Sequence, residues 1–199
     1  MDKVKDLILY QVATNRNYKV GETFVFDKNT KNGQYEKVFN SSFIDGNTRF
    51  CDKLYKISKS KFKRFKKSQL FKIAHSLDTY DVILRDLALE DIRKNFYPDY
   101  PSRFHSMYLV ETIEQALNYF DEKATVKDNS YQLVAVKLNG IIFRAGIKEC
   151  LVGRCGQSYT YYLEKAKSYW TQDCPKNQAV EVLFEGKAEI VEILKETKL

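Results

Sequence analysis

The stretch LILYQVAT (7–14) is an almost unbroken apolar run that predicts a strand closing at the polar Asn15–Asn17. TFVFD (23–27) reads as a second short strand after Gly21, and KNTKNGQY (28–35), with its Asn-Gly dipeptide, as turn-rich. From about 50 to 96 the period turns helical. In SLDTYDVILRDLALEDIRKNF (76–96) Val82, Leu84, Leu87, Leu89 and Ile92 recur near helical spacing, with Ser76 or Asp78 as a cap and Pro98 and Pro101 closing the segment. FHSMYLV (104–110) predicts a strand, and IEQALNYF (113–120) a helix opened by a Thr112–Gln115 capping box. YQLVAVKL (131–138) and IIFRA (141–145) read as a hairpin turning at Asn139-Gly140. TYYLEKAKSYW (160–170) is a helix, and AVEVLF (179–184) with KAEIVEIL (187–194) a last hairpin around Glu185-Gly186. Strands at both ends and hairpin signals in place of βαβ units predict an α+β fold with a mostly antiparallel sheet.

The length, 199 residues, suits one core and is marginal for two, so a single domain over 1–199 is expected, with a basic helical insertion at about 50–75. Eight Gly, three Pro and 27 Tyr and Phe exclude a disordered or fibrous chain. No apolar run is long enough to span a bilayer, so no membrane partner is expected. The N-terminal apolar run is short for a signal sequence and carries no small-residue cleavage site. A cytoplasmic protein is expected, with Cys51, Cys150, Cys155 and Cys174 as reduced thiols. There is no CxxC pair, and with only His75 and His105 no metal is expected.

The net charge of +7 is concentrated in KLYKISKSKFKRFKKSQLFK (53–72), which contains no acid. Lys59, Lys61, Lys63, Arg64, Lys66 and Lys67 there are candidates for neutralising phosphates, and Tyr55, Phe62, Phe65 and Phe71 for stacking on bases. The same pattern also describes a solvated amphipathic helix with its aromatics in the core. The chain has no Walker loop, GxGxxG, GxSxG or HExxH.

Three features carry candidate chemistry. Tyr108 ends a strand and Tyr119 lies on the next helix, so their rings can wall one cavity; each equally suits core packing. Glu181 begins a late, otherwise apolar strand, either as a solvated strand end or as a carboxylate that holds a ribose hydroxyl. Tyr10 and Gln11 lie on the first strand, where the Gln amide suits a ribose or a carboxamide. Arg103 either contacts a phosphate or braces its turn by pairing with Glu90 or Asp91, and Tyr169-Trp170 reads as a core anchor.

YQV (10–12), EDIRKNFYPDYPSRFHSMY (90–108), EQALNYF (114–120), AKSYW (166–170) and EVLFEG (181–186) resemble a bacterial domain family of unknown function. That family in turn resembles the ADP-ribosyltransferase superfamily, in its diphtheria-toxin-like and poly(ADP-ribose) polymerase branch. The resemblance implies a split antiparallel sheet and NAD as co-substrate. It implies that Tyr108 and Tyr119 sandwich nicotinamide, Glu181 is the catalytic carboxylate, and Tyr10 and Gln11 line the ribose end. Gln11 stands where that branch carries a His, and Ala116 where it often carries a small hydroxyl residue, for which Thr112 or Ser106 would substitute. An Arg-Ser-Glu branch of the superfamily would point instead to Arg103 and Ser106. The implied activity is transfer of ADP-ribose to a macromolecule, nucleic acid over protein given the basic segment. The implied role is a bacterial toxin or phage-defence effector controlled by an antitoxin or other regulatory protein. The competing expectation is a non-catalytic nucleic-acid-binding or protein-interaction module on the same fold.

Overall fold

Two long strands form the centre of the molecule, and each is built from a stretch whose glycine reads as a turn. The computed structural model describes residues 1–40, 67–125, 129–146, 157–171 and 180–197. In chain order the elements are β1 (Asp2–Thr14), β2 (Thr23–Phe26), the short helix α1 (Gly33–Tyr35) continuing as a π-helical turn (Glu36–Asn40), and α2 (Lys67–Phe96). There follow β3 (Met107–Leu109), α3 (Ile113–Ala124), β4 (Tyr131–Gly146), α4 (Tyr159–Trp170) and β5 (Val180–Thr197). The sheet is antiparallel throughout, in the order β1-β4-β5-β2, with β3 also on β5. The expected α+β, mostly antiparallel class is the one observed.

Neither expected hairpin forms. Residues 131–146 are one strand and 180–197 another, and they pair along their whole length with Gly140 opposite Gly186. The two glycines answer a close approach of backbones. A Cβ on Gly140 would collide with the Glu185 carbonyl oxygen, and one on Gly186 with the Asn139 carbonyl oxygen. Gly186 also has φ +139°, which a side chain rarely tolerates. Asn139 supports the crossing from β1, its Oδ1 accepting from the Asp6 N–H at 3.1 Å. In the turn-rich stretch 28–35 the Asn32 side chain caps α1 by accepting from the Gln34 and Tyr35 N–H groups.

The helices follow the sequence period more closely. Thr112 caps α3 through the Gln115 N–H, and Ser158 caps α4 through the Tyr161 N–H. α2 starts at Lys67, so Ser76 and Asp78 lie inside the helix instead of capping it. The strand expected over 104–110 shortens to 107–109, because residues 102–106 form a tight turn in which Ser102 O accepts from the His105 and Ser106 N–H groups.

Both sheet faces are covered. On one, Leu9, Val136, Leu138, Ile142, Phe184 and Ile190 pack with Met107 and Leu109 of β3. Beyond β3, Val110 exchanges two backbone hydrogen bonds with Tyr10, at 3.1 and 2.9 Å, so the sheet curls until β3 reaches β1. On the other face α2 and α4 pack over Phe143, Ala145 and Leu183, while α3 covers Leu133 and Tyr131. β4 is therefore buried along almost its whole length, like a strand enclosed on both sides. Trp170 is fully buried, and its indole N–H donates to the Leu89 carbonyl at 2.7 Å, tying α4 to α2.

The glycine crossing has a direct consequence for stability. Gly186→Ala is expected to cost about 2 kcal/mol, a fall in Tm of about 5 °C in thermal unfolding. A Tm equal to the parent's would contradict the close approach.

Candidate functional site

Acidic residues fall on a face of α2 that the apolar period assigns to the core. Asp86, Glu90 and Arg93 are four and then three residues apart, and so share the helix face that carries Leu89 and Ile92 inward. Asp81, Asp86 and Glu90 are all buried. Buried carboxylates demand partners, and the turn between α2 and β3 supplies Ser102 to Glu90 and Arg103 to Asp86.

That turn is held at three points. Arg93 grips Glu90 through Nη2 at 2.8 Å and Nε at 3.0 Å, and its Nη1 donates to the carbonyls of Pro98 and Tyr100. The Ser102 hydroxyl donates to Glu90 Oε2 at 3.0 Å, and its backbone N–H to Glu185 Oε1 at 2.8 Å. Asn32 Nδ2 donates to the carbonyls of Arg103 and Ser106.

The turn so fixed drives Arg103 inward. Its side chain is 4% exposed. Nη1 donates to Glu181 Oε1 and, at 2.9 Å, to the Tyr169 hydroxyl, which itself donates to the same Glu181 oxygen at 2.8 Å. Nε lies 3.4 Å from Asp86 Oδ1. The guanidinium carbon is 5.1 Å from the Tyr108 ring centre and 5.3 Å from that of Tyr169. Asp86 is bound in turn by Arg85 and by Gln34 Nε2 of α1. One arginine thus connects α2, α4 and β5. It is braced by Asp86 and Glu181, whereas of the two partners expected from sequence Glu90 belongs to Arg93 and Asp91 accepts from the Asn95 amide.

Glu181 is the accessible end of this network. Its side chain is 17% exposed. Both hydrogen bonds it accepts fall on Oε1, and Oε2 accepts none among the described residues. The site therefore presents one oriented carboxylate oxygen at the start of a rigid strand, beside an arginine that holds its partner oxygen in place.

Tyr108 belongs to the same cluster. Its ring packs with α2 and α4, and its hydroxyl donates to the Arg103 carbonyl at 2.7 Å. Ser106 is fully buried at the end of the turn, with an Oγ that has no hydrogen-bond partner among the described residues. The other candidates lie apart. Tyr119 is 44% exposed on α3, with the Lys123 ammonium 5.2 Å from its ring centre. Tyr10 packs under α3, and Gln11 points to the opposite sheet face, where its buried Oε1 has no partner among the described residues. Lys59, Lys61, Lys63, Arg64 and Lys66 lie outside the described residues, as do the four cysteines and the side chain of Lys67. Among the described residues no cluster of His, Cys, Asp or Glu has metal-binding geometry, and no helix is long and apolar enough to cross a membrane.

Sequence reasoning passed over Asp86, Ser102 and Glu185, and gave Tyr169 only a packing role. The legible signal was the acids at core positions of the α2 repeat. Glu185 is distinctive: burial pushes its carboxyl above the ordinary range, and nearby Glu90 adds to the rise. The Ser102 N–H, Arg93 and His105 pull the other way.

Residues 9–196 match the family model described as Protein of unknown function (DUF2441), and the chain belongs to that family. No curated protein matches it.

Two expectations follow from this geometry. Arg103→Met removes a shared cation from two carboxylates, leaving Arg85 and Gln34 at Asp86 and Tyr169 at Glu181, and is expected to cost about 3 kcal/mol, roughly 10 °C in Tm; a loss below about 1 kcal/mol would contradict the bridging role. Because the Glu185 pKa is raised by folding, its favourable contribution is complete below the unfolded carboxylate value of about 4.3 and is lost as pH rises through the folded value. Urea unfolding of Glu185→Gln should therefore show a variant more stable than the parent at pH 7.5, with the gain shrinking toward pH 4. A gain that grows on acidification would refute it.

Proposed function

We propose that the chain is an NAD-dependent ADP-ribosyltransferase, with Glu181 as its catalytic carboxylate and a fold related to the split sheet of that superfamily. The observation that carries the reading is the state of Glu181: Oε1 fixed by Arg103 and Tyr169, Oε2 accepting no hydrogen bond among the described residues, and the side chain partly exposed at a strand start. A carboxylate so preorganised suits a reaction in which positive charge develops on a sugar carbon.

In this reading Glu181 Oε2 accepts a hydrogen bond from a hydroxyl of the nicotinamide ribose. Its charge opposes the positive charge that grows on C1′ as the bond to nicotinamide breaks. The bonding pair leaves with the ring nitrogen, giving neutral nicotinamide. A lone pair of the acceptor then bonds to C1′, and the acceptor proton passes to Glu181 or to water. Arg103 is a positioning residue here, since its buried guanidinium is committed to Glu181 and Asp86 and is not presented to a pyrophosphate. Tyr108 supplies an aromatic wall. Tyr119, exposed on another helix beside Lys123, is not needed for the reading. The basic run 53–72 favours nucleic acid as acceptor, and a toxin or phage-defence role under a regulatory protein belongs to the same proposal.

A second reading has an observation of its own. Asp86 and Arg103 are so deeply buried that the network serves as a core brace whether or not Glu181 reacts, as in a non-catalytic binding module.

The two readings separate on one substitution. Glu181→Gln keeps an acceptor oxygen for Arg103 and Tyr169 but removes the charge. Nicotinamide release from NAD is expected to fall by about a hundredfold or more, with a fall in Tm well below that of Arg103→Met, because Arg103 keeps Asp86. An unchanged rate removes Glu181 from the chemistry and leaves the brace.

A further inference from the structure

The turn that sends Arg103 into the network sends its next two residues the other way. Phe104 and His105 meet the helical segment 33–40, where Phe39 packs edge-on against Phe104 at 5.3 Å between ring centres. Tyr35 lies 4.7 Å from Phe39 and 6.0 Å from the His105 ring. The Lys31 ammonium sits 4.8 Å from the Tyr35 ring centre. Phe39 is 52% exposed, so this aromatic group opens to solvent instead of closing a core. The same segment reaches the buried network through Gln34, which donates to Asp86.

We propose that Lys31, Tyr35 and Phe39, backed by Phe104 and His105, form a platform on which the unstacked bases of a single-stranded nucleic acid lie. An exposed Phe39 ring beside the half-buried Tyr35, with a cation over Tyr35, matches that ligand, because every base offers a flat face and every linkage a negative charge. The charge of the chain agrees: between Lys53 and Lys72 the sequence adds nine basic residues and no acid. Duplex nucleic acid, whose base faces are hidden, fits the platform poorly. The inference rests on the transferase reading only in making the bound strand the acceptor; the turn 102–106 contributes Arg103 to the network at Glu181 and Phe104 and His105 to the platform.

Fluorescence anisotropy tests it without NAD. The full chain is titrated into labelled single-stranded RNA, single-stranded DNA and a duplex of equal length. The parent is expected to prefer a single strand, and Phe39→Ala to weaken that binding about tenfold while leaving the duplex affinity and the salt dependence unchanged. Phe39→Trp should restore it. A parent that binds no single strand, an unchanged affinity in Phe39→Ala, or equal losses on single strand and duplex would each overturn the platform. Strand binding that depends on Phe39 in a chain that releases no nicotinamide would leave the platform standing and remove only the transferase reading.

Discussion

The arrangement of helices over the sheet depends on one buried guanidinium. Arg103 holds Asp86 of α2 on one side and Glu181 of β5 on the other, with Tyr169 of α4 completing the contact. Burying these charges is costly, and their mutual attraction, with the hydrogen bonds of Nη1, offsets that cost. Arg85 adds a second guanidinium at Asp86, so two carboxylates face two arginines. Apolar side chains in the same place would pack at least as tightly, but would not dictate which oxygen of Glu181 faces inward. Specificity of orientation is what this network supplies, and an oriented carboxylate is what the proposed chemistry uses.

The fold was legible where a single period runs uninterrupted, and illegible where glycine was the main clue. α3 followed from its Thr112 capping box and α4 from the helical segment 160–170. Asn139-Gly140 and Glu185-Gly186 looked like hairpin turns, yet they face each other across two continuous strands. A glycine dipeptide reports a backbone without side-chain bulk. Whether that freedom is spent on turning or on close approach is decided by the partner strand, which local sequence does not reveal. β4 shows the same limit: its covering on both faces comes from layers formed far away in the chain.

The candidate site was legible in part for a related reason. Arg103, Tyr108 and Glu181 drew attention as single residues, but their convergence is a tertiary fact: 78 positions separate Arg103 from Glu181. The acids of α2 at core-facing positions were a readable warning that a buried cation was needed, although their partner was not readable. The pairing went to Asp86 and not to Glu90, because Glu90 sits one turn further on, where Arg93 and Ser102 already satisfy it. Tyr119 shows the opposite case: its sequence spacing from Tyr108 is suggestive, but the helix between them turns that ring to solvent.

In the proposed reading, sugar chemistry and strand binding meet at the turn 102–106, which feeds Arg103 to the carboxylate and Phe104 and His105 to the aromatic group around Phe39. Following nicotinamide release from NAD by the purified full chain, with single-stranded RNA, single-stranded DNA or no polymer added, tests this account most directly. The account predicts release that rises when one of the polymers is supplied, with ADP-ribose recovered on that polymer. No release and no NAD binding under any of the three conditions would contradict it.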